Sequence, residues 1–219
     1  MDKETVRTLI EERCAEYNVE AVDYSLVRED DGFKVVDGQT GLQVDIENEW
    51  DHGPAELALE IIVDEPLGSE QELAKIKDIL GTSTTSYSTS GKSRSANVAN
   101  GCDLINGITL YPGEEFSTYE AIAPFSTENG YYLAGSYLNG QVVESLGGGI
   151  CQVSTTLYNA VLQAELEVTE RHNHSMIVTY VEPSADAAIA ESSGKDFRFI
   201  NNTDTPIYIE GITTPDKQI

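Results

Sequence analysis

The run Gly147-Gly148-Gly149-Ile150-Cys151-Gln152 passes without a break into Val153–Leu166, where Val153, Leu157, Val161 and Ala164 recur at helical spacing. Tyr158 and Leu162 add an adjacent apolar face, so this helix is apolar on more than one side and reads as central. Just upstream, Tyr131–Leu138 and Gln141–Ser145 flank Asn139-Gly140, the strongest hairpin signal in the chain. Further upstream, residues 94–106 carry a helical pattern through Ala96, Val98, Ala99, Cys102 and Leu104–Ile105, followed by a Pro-Gly turn at Tyr111–Glu114. Downstream, Met176–Val181, Asp196–Ile200 and Pro206–Glu210 read as strands. Helix, hairpin, buried helix and then strands predict an α+β fold, with a mixed or antiparallel sheet packed around a central helix at about 151–166.

The first eighty residues form a separate pattern. Val6, Leu9, Ile10, Cys14 and Tyr17 predict an amphipathic helix over 3–17, with Cys14 on its apolar face. Two strands at 21–28 and 32–36, a short polar helix near 45–51 and a strand at 56–63 follow. Ser69 with Glu72 makes a capping box for a helix ending near Leu80. The polar run Gly81–Gly91, rich in Ser and Thr, reads as a linker. The predicted organisation is a small α+β module over 1–80, a linker over 81–92 and a second domain over 93–219. Residues 1–80 carry a net charge of −15 and residues 81–219 a net charge of −10, so the first part is more than twice as acidic per residue.

With 38 Asp plus Glu against 13 Lys plus Arg among 219 residues, the formal charge is −25. The bases are scattered, which argues against nucleic acid and anionic lipid as partners. No apolar stretch approaches the roughly 20 residues of a membrane span. The start, Met1-Asp2-Lys3-Glu4, is not that of a secretory signal, which leaves a cytosolic protein or a soluble piece of a longer one. The three cysteines, Cys14, Cys102 and Cys151, can form one pair at most, and no metal-finger spacing occurs.

Cys151 draws attention because it opens the central helix. Unpaired N–H groups and the helix dipole favour an anion there, which lowers a thiol's pKa. Two of the three histidines lie in Arg171-His172-Asn173-His174-Ser175, and Asp186 follows. That order fits a thiol nucleophile (Cys151), a base (His174) and an orienting carboxylate (Asp186). Backbone N–H groups around Gly149–Gln152 are the candidate oxyanion donors. Gln152 and Arg171 are candidates to hold a substrate's carboxylate or amide. Gly147, Gly148 and Gly149 let a ligand approach the backbone, and equally make a tight passage from hairpin to helix. A second reading uses the same atoms: in an extended segment His172 and His174 point to one side, and with Cys151 they supply three zinc ligands. It ranks below the nucleophile, because such ligand sets come with tighter spacing, and no metal or cofactor is assigned. His52 reads as a surface residue, and Glu114, Glu115 and Glu120 as a solvated face.

Residues 94–210 resemble the VanW-like domain family. The match runs through Arg94 and Asn97, Asn106-Gly107, Tyr111-Pro112-Gly113-Glu114-Glu115-Phe116-Ser117, Gly130-Tyr131, the whole of Gly147–Asn159, and then Arg171, His174, Tyr180, Asp186 and Asn201. Tyr131, at one of these landmarks, joins the candidate substrate contacts. Residues 20–80 are similar to the end of the peptidoglycan-binding module that commonly precedes this domain, through Gly41-Leu42-Gln43-Val44-Asp45 and the Leu57–Pro66 stretch. The resemblance implies a Gram-positive cell-surface protein, with peptidoglycan or its stem peptides as partner and a membrane anchor outside this chain. It implies no particular reaction. Three functions follow as expectations: thiol-dependent acyl transfer or amide hydrolysis, non-catalytic peptidoglycan or peptide binding, and a structural spacer.

Overall fold

The computed structural model describes residues 3–30, 32–45, 60–138 and 140–219, and divides the chain into two units, Met1–Ala74 and Lys75–Ile219. Residues 46–51 of the short helix expected near 45–51, residues 56–59 of the strand expected at 56–63, His52 and Asn139 lie outside the described residues, whereas residues 61–63 of that strand do form one. No helix among the described residues is long and apolar enough to cross a membrane.

The first unit opens with α1 (Lys3–Cys14), which has Glu4 in its first turn, Arg13 in its last and an Arg7–Glu11 pair at 3.0 Å. Antiparallel pairs follow: β1 (Ser25–Glu29) with β2 (Gly32–Val36), and β3 (Gly41–Val44) with β4 (Ile61–Asp64). Only Leu26, Val44 and Leu73 count as buried hydrophobics among the described residues there, and the expected apolar stripe of α1 is open, with Leu9 and Tyr17 exposed. Ser69 caps α2 (Glu70–Leu73): its hydroxyl accepts from the Glu72 N–H at 3.2 Å and donates to the Glu72 carboxylate at 3.0 Å. This helix stops at Leu73 instead of near Leu80, because Leu73 is its one buried side chain and Ile79 is exposed.

The second unit begins with a correction. Residues 82–88, read as linker, are knitted into the fold: Thr85 exchanges both backbone bonds with Ile219 at 2.9 and 3.1 Å, and the Tyr87 N–H donates to Lys217 O at 2.8 Å. Serine and threonine there serve hydrogen bonding rather than slackness. Then come α3 (Lys92–Ile105), β5 (Ile108–Leu110), β6 (Glu115–Ser117), α4 (Thr118–Ile122), β7 (Leu133–Leu138), β8 (Gln141–Leu146), α5 (Cys151–Gln163), β9 (Glu167–Glu170), β10 (Arg198–Ile200) and β11 (Ile207–Ile209). The unit is α+β, as its order of elements predicts. It is built from several small antiparallel sheets rather than one: β6-β10-β9, β5 with β11, and the β7–β8 hairpin. The hairpin closes through Gly140 in the left-handed region at φ +76°.

The core gathers Val98 and Ile105 of α3, Ile122 of α4, Val153 and Val161 of α5, and the rings of Phe116, Phe197 and Phe199. Phe199 lies 5.2 Å from Phe116 and 5.7 Å from Phe197, centroid to centroid. The strand expected at Met176–Val181 is an irregular loop in which Ile177 is 78% exposed and Val178 is buried. Apolar residues suit a strand, but among the described residues no strand pairs with this segment.

Candidate functional site

Helix α5 positions the site. Cys151, Ser154, Thr155 and Asn159 recur every three to four residues, so they share a face, and that face meets the extended strip 185–189. Asn159 Nδ2 donates to Ala185 O at 2.8 Å, Thr155 Oγ1 accepts from the Ala187 N–H at 3.0 Å, Ser154 Oγ donates to Ala187 O at 2.7 Å, and Cys151 Sγ donates to Ile189 O at 3.3 Å. Side chains thus satisfy the backbone groups a neighbouring strand would otherwise pair. The strip is held along its length, and Asp186 sits within it.

Asp186 is the hub. Its Oδ1 accepts from Arg171 Nη2 at 3.1 Å, and its Oδ2 accepts from the His174 backbone N–H at 2.7 Å and bonds His174 Nδ1 at 2.6 Å. Arg171 also donates to the carbonyls of Asp186 at 2.7 Å and Ser184 at 3.0 Å, and its guanidinium lies 5.5 Å above the Tyr158 ring. Side-chain exposure is 7% for His174 and 11% for Asp186. Burial works to raise the Asp186 carboxyl, but the N–H and imidazole of His174 outweigh it and hold the carboxyl below its ordinary value. A cleft of about 410 Å³ opens here, lined by His174, Arg171 and Asp186 and by Met176, Ile177 and Glu182.

The structure therefore joins His174 to Asp186 and Arg171, and leaves Cys151 apart. Among the described residues no hydrogen bond links Cys151 to His174; the thiol is engaged by the Ile189 carbonyl. Burial pushes this thiol above its ordinary value despite the opposing charge of Arg94. The residue keeps partial exposure while the atoms packed around its sulfur desolvate it. Position at a helix start is thus overridden by desolvation.

The glycine run is a packing solution. A Cβ on Gly148 would lie 2.3 Å from Ala134 O, and one on Gly149 would lie 2.6 Å from Arg94 Cγ. The N–H groups of Gly147, Gly148, Ile150, Gln152 and Val153 already donate to backbone carbonyls. Of the expected oxyanion donors over 149–152, the N–H groups of Gly149 and Cys151 have no backbone carbonyl acceptor among the described residues.

Two expected substrate contacts turn inward. Tyr131 is fully buried and donates to Ile122 O at 2.8 Å, and its ring packs edge-on against Phe125. Gln152 is 1% exposed; it accepts from Arg94 at 2.9 Å and donates to Thr85 Oγ1 and Ser86 O, both at 3.0 Å. Both satisfy buried polar groups rather than face a ligand. His172 pairs with Glu170 at 2.9 Å while His174 pairs with Asp186, so the two rings are held by different carboxylates. Among the described residues no cluster of His, Cys, Asp or Glu is arranged to hold a metal ion.

Two residues close to the site escaped assignment. Arg94 packs on Gly149 and ties Ser90 to Gln152. Tyr180 lies beside Cys151 and Thr155, and burial, then the neighbouring Cys151, drive its hydroxyl far above the ordinary range. Both belong to the matched landmarks, but nothing in their local sequence gives them a partner.

Residues 93–219 match the family model described as "VanW like protein", and residues 1–58 match one described as "Putative peptidoglycan binding domain". The chain is 39% identical over 130 residues to "Uncharacterized protein YoaR" of Bacillus subtilis (strain 168), which covers 59% of this chain and 43% of that one. It is 29% identical over 121 residues to "Vancomycin B-type resistance protein VanW" of Enterococcus faecalis (strain ATCC 700802 / V583), which covers 52% of this chain and 43% of that one. The matches span less than half the length of these curated relatives. No solved structure matches the chain.

Proposed function

The chain belongs to the VanW-like family through residues 93–219, and from that premise we propose that it is a cell-wall-associated protein that binds peptidoglycan or its stem peptides without thiol chemistry. The N-terminal match to a peptidoglycan-binding model supports the wall as its place of action. The observation that carries the non-catalytic reading is the engagement of Cys151 Sγ by the Ile189 carbonyl, with no hydrogen bond to an imidazole among the described residues. A desolvated thiol is a weak nucleophile at neutral pH, and its bond to the 185–189 strip gives Cys151 a structural task instead. The ligand site in this reading is the cleft beside His174 and Arg171.

The test is sedimentation of the full chain with purified cell-wall sacculi. Wild type and Cys151→Ala should sediment alike and release no soluble fragments. Ile177→Glu, at a site 78% exposed and so safe for the fold, should sediment several-fold less. Failure of wild type to sediment, or indifference to Ile177→Glu, overturns the reading. Fragment release that depends on Cys151 would replace it with the enzymatic one.

One feature favours that second reading: the positive charge of Arg94 pulls the Cys151 thiol down, in the direction a nucleophile needs. Iodoacetamide labelling decides between them. Native Cys151 should react more slowly than a free cysteine at neutral pH and gain reactivity only above the usual thiol range. Faster labelling than free cysteine at pH 7 would show activation.

A further inference from the structure

Among the described residues lining it, the cleft beside His174 offers acceptors, and its one Lys or Arg side chain, Arg171, is paired with Asp186. Resting on the wall-binding reading, we propose that the cleft takes a protonated primary amine carried on a peptide side chain, held between His174 Nε2 and the Glu182 carboxylate.

His174 Nδ1 is committed to Asp186 at 2.6 Å. With that nitrogen as donor, the neutral ring presents a lone pair at Nε2. The ring is only 7% exposed, yet among the described residues Nε2 has no hydrogen-bond partner, and His174 lines the cleft. The His174 side chain is nine-tenths buried but Nε2 itself is not sealed off, so a donor from a ligand can reach it. Glu182 lines the same cleft; it is exposed and its carboxylate has no partner among the described residues. An anionic ligand would have to share Arg171, whose Nε and Nη2 already donate to the Asp186 carboxylate and two carbonyls, and most N–H groups of the glycine run are spent. Met176 and Ile177 supply apolar lining for the methylene stem of such an amine. The net charge of −10 over residues 81–219 draws cations of this kind toward the surface at low salt.

The probe is the capped peptide Ac-Ala-Lys-Ala-NH2, compared with its Nε-acetylated counterpart by calorimetry and by amide shifts of the full chain. The free amine should bind, with shifts concentrated in residues 171–186, and the acetylated peptide should bind about tenfold more weakly, as expected for loss of a charged hydrogen bond. Glu182→Gln, on an exposed side chain, should weaken the first peptide about tenfold and leave the second unchanged. His174→Asn keeps a side-chain amide for Asp186 and deletes Nε2, and should act in the same direction. Equal binding of the two peptides, indifference to Glu182→Gln, or shifts elsewhere would overturn the amine assignment. The sacculus experiment separates the two readings. Cleft-dependent sedimentation without amine preference leaves the wall reading and removes this one, whereas amine preference without sedimentation does the reverse.

Discussion

Gly148→Ala is expected to lower the stability of the second unit by about 3 kcal/mol or more, and its melting temperature by about 10 °C. The added Cβ would lie 2.3 Å from Ala134 O and 2.5 Å from its carbonyl carbon. Those are backbone atoms of β7 at the base of the hairpin, so neither can swing aside as a flexible side-chain end would. Gly148 O also accepts from Asn97 Nδ2 at 2.9 Å, and the fully buried Asn97 bonds Tyr132 O at 2.9 Å and the Tyr132 N–H at 2.8 Å. Moving Gly148 to relieve the overlap pulls on that network, where buried polar groups have no water to turn to. Gly140→Ala is the control: nothing lies within 4 Å of its Cβ, and only its φ of +76° resists substitution. That should cost about 1 kcal/mol. Thermal unfolding of the two variants checks the contrast, and equal losses would show that the overlap at Gly148 is relieved at little cost.

The same residues show what a sequence reveals about such a site. The hairpin and α5 were legible because period and turn chemistry are local properties: alternation ending at Gly140, and apolar spacing through Val153 and Val161. The order of His174 and Asp186 anticipated that they meet, since both flank one loop. What escaped is everything set by side chains bonding distant backbone. Ser154, Thr155 and Asn159 look like an unremarkable polar face until the 185–189 strip is laid along them. Tyr131 and Gln152 stand at conspicuous landmarks, yet their hydroxyl and amide are consumed by buried carbonyls and by Thr85. Polar residues carry no periodic mark that separates a ligand contact from an internal tie. The run 81–91 shows the same limit: its backbone at Thr85, Ser86 and Tyr87 pairs with residues 217–219, which no local pattern announces.

Removal of the Asp186 carboxylate is the second large effect. Asp186→Ala should cost about 3 kcal/mol, because it strands two partners at once. Arg171 would lose its ion pair at 3.1 Å, and His174 would lose both its ring partner and its backbone acceptor. The loop between them would then lack its anchor, and ligand binding in the cleft should disappear along with it. Asp186→Asn separates charge from shape: the amide oxygen still accepts one of these bonds, so the variant should fold with a smaller loss. pH reports the same interaction in the wild type. The Asp186 carboxyl is held below its ordinary value in the folded chain, chiefly through His174, despite the upward push of burial. A lowered folded value means that its stabilisation is fully present above the ordinary aspartate range, near pH 4, and drains away as pH falls through the lowered value. Denaturant midpoints measured from pH 6 down to pH 2 should therefore show an acid limb that is shallower in Asp186→Asn than in wild type. An acid limb of unchanged steepness in the variant would mean that other carboxylates govern acid unfolding and that Asp186 is not the hub its contacts make it.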